Sequence, residues 1–129
     1  MESVELLDGV NELIERWGWV QHADETEDGL DLVAAFEVAS GVPLRTTSYE
    51  HDLLAGFFAD EALDRALSMT AEVIGADPQD SPLPDERWAW VRVITCFNDS
   101  PTTTAAEVAL VLRMTSELAS TRAVFRSYA

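Results

Sequence analysis

The 129-residue sequence predicts an all-α fold, a compact bundle of about five or six helices in one domain covering residues 1–129. Three observations predict it. Apolar residues recur at i, i+3, i+4 spacing along most of the chain. Gly, Pro and Asp/Asn/Ser/Thr residues stand between those runs, where helices stop and start. Only one run carries strand propensity, and it has no partner strand. The chain is 47% hydrophobic with four Trp and five Phe, enough apolar side chains to build a core and to exclude a disordered class.

The first predicted helix opens at Ser3 as N-cap. Leu6, Leu7, Val10, Leu13, Ile14 and Trp17 form its inward stripe, and Gly18 ends it. Residues 21–29 read as a polar, acid-rich loop. A second helix covers about 30–40 with Leu32, Val33, Phe36, Ala39 and Ser40 inward, ended by Gly41 and Pro43. The spacing of Leu53, Leu54, Phe57 and Phe58 predicts a third helix over 48–59, weakened by Gly56. Asp60 caps a fourth over 61–74, with Leu63, Leu67, Thr70 or Ala71, and Ile74 inward and Gly75 as its stop. Pro78, Pro82 and Pro84 make residues 76–85 the longest loop.

Residues 86–97 pull two ways. Trp88, Trp90, Val91, Val93 and Ile94 favour strand, yet Trp90, Val93, Ile94 and Phe97 fit a helical stripe, and helix is expected among helices. Asn98 to Pro101 reads as a turn. Thr104 and Glu107 then form a capping box. The last helix runs from Ala105 to Arg122 or beyond, with Val108, Val111, Leu112, Thr115, Leu118 and Ala119 inward.

Charge is the feature with most bearing on function. The chain has no Lys, and its net charge is −16. Residues 1–85 hold 20 of the 24 acids and three Arg, giving −17; residues 86–129 hold four acids and five Arg, giving +1. Such a field repels nucleic acid and anionic membranes and attracts basic partners. Acids at positions 2, 5, 8, 12 and 15 are spaced by three or four, which draws a carboxylate ridge along helix one for about 20 Å. Duplex DNA carries one charge per ~1.7 Å of axis, so rigid rows of Asp and Glu can imitate it. The opposing interpretation is acidity that serves solubility alone.

No catalytic, cofactor or metal residue is assigned. The chain lacks a G-x-S-x-G elbow, a glycine-rich phosphate loop and an HExxH pair. With Gly29 at the invariant glycine of an EF-hand loop, Asp24, Thr26 and Asp28 would fall at ligand positions, but Ala35 would replace the bidentate Glu and Asp31 the apolar residue. Adventitious divalent binding by Asp24, Glu25, Glu27 and Asp28 stands beside a plain solvated loop. Cys96, in the run Val93-Ile94-Thr95-Cys96-Phe97, is expected in the core. His22 and His51 read as surface residues. Trp17 reads as core, whereas Trp19 and Trp88 lie off the stripes and are candidates for exposed anchors. The acidic start resembles no signal peptide and no run spans a membrane, so a cytoplasmic location is expected.

Two separated stretches carry a family resemblance. Trp17-Gly18-Trp19-Val20-Gln21 resembles a helix-ending GW-x-Q element followed by the Ala-rich helix Ala34–Gly41. Phe97-Asn98-Asp99-Ser100-Pro101 with Thr103-Thr104-Ala105-Ala106-Glu107-Val108 resembles a W-N-D-x-P…T-x-x-E-V element opening the final helix. Together they are similar to a family of small helical proteins of high-GC bacteria and their phages, described as a domain of unknown function. Phe97 stands where that pattern has Trp, and Asp31-Leu32-Val33 where it often has Cys. The resemblance implies an all-helical fold and a host-interaction role.

The expected function is a non-enzymatic protein-binding module. It would occupy a basic surface of another protein through Glu5, Asp8, Glu12 and Glu15, with Asp24, Glu25, Glu27 and Asp28 beside them, as an inhibitor or nucleic-acid mimic. Two alternatives remain: a homo-oligomeric scaffold joined through Leu53, Leu54, Phe57 and Phe58, and a small metal-dependent enzyme built on His22, His51 and nearby carboxylates.

Overall fold

The computed structural model describes residues 2–23, 25–44, 60–75 and 87–127. Among these the chain forms five helices: α1 (Ser3–Trp17), α2 (Leu32–Ser40), α3 (Glu61–Ile74), α4 (Arg87–Asp99) and α5 (Ala105–Ser127). The predicted helix over 48–59 and the loop over 76–85 lie outside the described residues.

The fold is all-α, and its helix ends follow their caps. Asp31 and Asp60 accept hydrogen bonds from the amides of Ala34 and Leu63 at 2.7 and 3.0 Å, which satisfies donors that the first helical turn leaves unpaired. Gly41 and Gly75 close α2 and α3 in the left-handed conformation. The Thr104 hydroxyl accepts from the Glu107 amide at 3.2 Å, opening α5. Residues 87–99 are helical despite their β-branched and Trp content. Val91, Ile94 and Asn98 recur at i, i+3, i+7 and are buried, so packing decides over propensity.

One core joins all five helices. Leu6, Leu7 and Val10 of α1 meet Leu32, Val33 and Phe36 of α2, Leu63 and Leu67 of α3, Ile94 of α4, and Val108 and Leu112 of α5. α1 packs against α2, α3 and α5; α3 also packs on α4 and α5.

Five expectations are corrected. Ser3 is not the N-cap: Glu2 holds that position without a side-chain bond, and the buried Ser3 hydroxyl donates to the Ala62 carbonyl of α3 at 3.0 Å. The acid-rich loop holds a small antiparallel hairpin, β1 (Glu25–Thr26) and β2 (Gly29–Leu30). Strands of two residues are too short for any periodicity to reveal. The tight turn after α4 is Ser100–Thr103, because Asn98 and Asp99 belong to the helix. Cys96 is exposed, since it lies about 200° around the helix from Ile94. Finally, Trp17 is 62% exposed at the end of α1, past the buried Leu6, Leu7 and Val10.

Two glycines hold the hairpin against α1. Gly18 has φ 91° and Gly29 φ 149°. A methyl at Gly18 would overlap the Asp28 carbonyl, and one at Gly29 would overlap the Gly18 carbonyl and lie 2.8 Å from the Trp19 nitrogen. The Leu30 amide bonds the Gly18 carbonyl at 3.0 Å and the Val20 amide bonds the Leu30 carbonyl at 3.1 Å. Backbone approach this close requires the absence of Cβ at both positions.

Candidate partner-binding face

Helical geometry alone separates the two faces of α1. At 100° per residue, Glu5, Asp8, Glu12 and Glu15 fall within an arc of about 80°, opposite the buried stripe. All four are exposed, as is Glu2. Glu15 accepts a hydrogen bond from Asn11 at 3.2 Å, which pins one carboxylate along the helix.

The ion pairs discriminate between acidic surfaces. On α3, Glu61 pairs with Arg65, Asp64 with the buried Arg87 at 2.7 Å, and Glu72 with Arg122 at 2.9 Å through two parallel bonds. Those Glu72 bonds raise the Arg122 pKa above its ordinary value. Among the described residues, no carboxylate of α1 is in an ion pair. The α3 acids are neutralised within the fold, while the α1 carboxylates face solvent with no ion-pair partner among the described residues.

Of the four loop acids, Glu27 and Asp28 are exposed in the turn of the hairpin, Glu25 is in β1, and Asp24 lies outside the described residues. The turn is shaped by the Asp28 amide bonding the Thr26 hydroxyl at 3.1 Å. Gly29 serves close backbone approach, which differs from the metal-loop role weighed for it. Among the described residues, no three of His, Cys, Asp and Glu converge into a set able to hold a metal ion.

Sequence reasoning missed the apolar trough beside the ridge. A depression of about 300 Å³ is lined by Glu5, Gly9, Glu12, Leu13 and Arg16 of α1 and Val38 and Ala39 of α2. A second, of about 160 Å³, continues it between Leu13, Trp17, Val38 and the hairpin residues Thr26, Gly29 and Leu30. Both share Leu13 and Val38. Val38 is 57% exposed. Its position two residues past the buried Phe36 was the available signal: an apolar residue off the inward stripe.

The two stretches that carry the family resemblance meet in space. Asn98 is fully buried and accepts from the Trp19 indole at 2.6 Å and the Leu32 amide at 3.0 Å. Its own amide group donates to the Val20 carbonyl and to Asp99. Gln21 donates to the carbonyls of Asn98 and Ser100 at 3.0 and 2.8 Å. The Asp99 carboxylate accepts from the His22 amide at 2.8 Å, and this holds His22 in its left-handed conformation, φ 59°. These residues form a clasp between the α1–α2 connection and the end of α4. Trp19, expected as an exposed anchor, is half-buried in it, and Trp17 takes the exposed place. The His22 ring is 71% exposed with Nδ1 4.0 Å from Asp99. His51 and the stripe Leu53, Leu54, Phe57 and Phe58 lie outside the described residues.

No helix among the described residues is long and apolar enough to cross a membrane. Residues 1–118 match the sequence model of DUF6197, a family of unknown function. No curated protein and no solved structure matches the chain.

Proposed function

From a chain that belongs to DUF6197, a family that brings no activity with it, function has to be argued from the molecule itself, and we propose that it is a non-enzymatic protein-binding module. It occupies a basic surface of another protein. Glu5, Asp8, Glu12 and Glu15 are the recognition ridge, joined by Glu27 and Asp28 of the hairpin turn and by Asp24 and Glu25, which precede them in sequence. Its concrete form is an inhibitor that takes the place of nucleic acid on a basic, nucleic-acid-handling partner.

The observation that carries this reading is the uneven pairing of charge. Arginines neutralise the acids of α3, and among the described residues none is paired with Glu2 or with the four acids of α1. Four successive like-charge neighbours at i, i+3 or i, i+4 lower helix stability by a few tenths of a kcal/mol each. Solubility alone requires no such alignment. The test is capture of partners from a lysate on the immobilised chain, washed at graded salt. A specific basic protein should be released between about 0.15 and 0.5 M salt, because paired surface charges are screened over that range. Glu12→Arg with Glu15→Arg should reduce capture at least about tenfold. Capture indifferent to salt and to charge reversal would sink the reading.

A further inference from the structure

The trough between α1 and α2 and the ridge along its edge define a more specific occupant. Resting on the reading above, we propose that this trough docks a basic amphipathic helix of the partner, with an apolar anchor seated between Leu13, Trp17 and Val38.

The chemistry of the two walls differs in the way such an occupant requires. The floor is apolar: Leu13, Ala39 and Val38, with Trp17 at one end. Gly9 presents no side chain to it, and even a Cβ there would only reach ordinary contact with the Ala39 methyl at 3.7 Å, so there is room for an incoming one. The α1 rim carries Glu5 and Glu12, with the single cation Arg16 at its C-terminal end, so its balance is acidic. An occupant must therefore turn apolar groups inward and cations outward on the α1 side. A single helix meets both demands at once through i, i+3, i+4, i+7 spacing. Size agrees as well. From Glu5 to Trp17 is twelve residues, about 18 Å at 1.5 Å per residue, or a little over three turns of a docked helix.

Other occupants fit less well. Nucleic acid would bring phosphates against Glu5 and Glu12. An extended peptide needs an open strand edge, and the described strands are two residues long. A second copy would bring a net charge of −16 to an acidic rim.

The test uses the full chain and a defined probe. The probe is a blocked Lys/Leu peptide of about 14 residues with Leu at i, i+3, i+4 and i+7. Its control is a scramble of the same composition with Leu spread over all faces. Titration is followed by calorimetry and by backbone amide shifts. The ordered peptide should bind at least about tenfold tighter than the scramble, with shifts centred on α1 and α2. Val38→Gln, which leaves the charge unchanged at an exposed site, should remove most of that preference. Glu5→Gln with Glu12→Gln should weaken binding about tenfold and flatten its salt dependence.

Equal binding of both peptides, with Val38→Gln silent and the Glu variants weakening both, overturns the helix inference and leaves the acidic-surface reading standing. Sensitivity to Val38→Gln without sensitivity to the Glu variants overturns both. Absence of binding, or shifts away from α1 and α2, overturns the inference alone. So does concentration-dependent sedimentation abolished by Val38→Gln, which would assign the trough to a second copy.

Discussion

Asn98 shows how much one buried polar side chain can organise. Its carbonyl oxygen serves an indole and a backbone amide, and its amide group serves a backbone carbonyl and a carboxylate. Asn98→Ala should lower stability by about 2–4 kcal/mol in urea unfolding, because it leaves the Trp19 indole and the Leu32 amide without their partner in the interior. A loss under about 1 kcal/mol would show that water replaces the amide at no cost. From its neighbours in sequence, Asn98 reads as a turn residue. Three of its partners, Trp19, Leu32 and Val20, lie 66 to 79 positions away, and no local pattern reports contacts of that range. One sign was readable: Asn98 continues the Val91, Ile94 stripe, and a polar group on an apolar face needs a partner. Cys96 was misplaced for the converse reason. Its apolar neighbours suggest burial, but at 100° per residue Cys96 falls on the side of the helix opposite Ile94.

At the scale of elements, caps and stripes were legible because they are local. Asp60, Gly41, Gly75 and Thr104 end or begin helices where their chemistry requires, and the α5 stripe of Val108, Val111, Leu112, Thr115 and Ala119 is buried as its spacing demands. The β1–β2 hairpin was not legible, because its register depends on a backbone approach between Gly18 and Gly29 that neither residue announces alone. Two substitutions separate the roles of glycine. Gly29→Ala should destabilise by about 2 kcal/mol or more, since its methyl would overlap the Gly18 carbonyl. Gly9→Ala lies inside α1 with room for a methyl, and should stabilise by about 0.5–1 kcal/mol through helix propensity. Thermal or urea unfolding of the pair checks both signs. A Gly9→Ala loss would mean that α1 and α2 approach more closely than described.

Over the whole molecule, the decisive property is where opposite charges fail to meet. The sequence located the acidic half, but not which acids the fold neutralises. The pairs Arg87 with Asp64 and Arg122 with Glu72 span 23 and 50 residues, so only the tertiary arrangement could single out α1. If the ridge is strained by its own repulsion, Glu12→Gln together with Glu15→Gln should raise stability by a few tenths of a kcal/mol at low salt. The gain should fade above about 0.5 M salt as screening removes the repulsion in the parent chain. Equal stability of both proteins at every ionic strength would show that α1 bears its charges without cost.

The clasp through Asn98 has a kinetic corollary. It joins the stretch after α1 to the end of α4, a closure of up to 79 residues, and contacts of such sequence separation are reached late as a chain organises. A late contact governs escape from the native state more than entry into it. Weakening the clasp should therefore leave refolding rates nearly untouched and shorten the lifetime of the native protein, which double-jump stopped-flow on Asn98→Ala would measure directly.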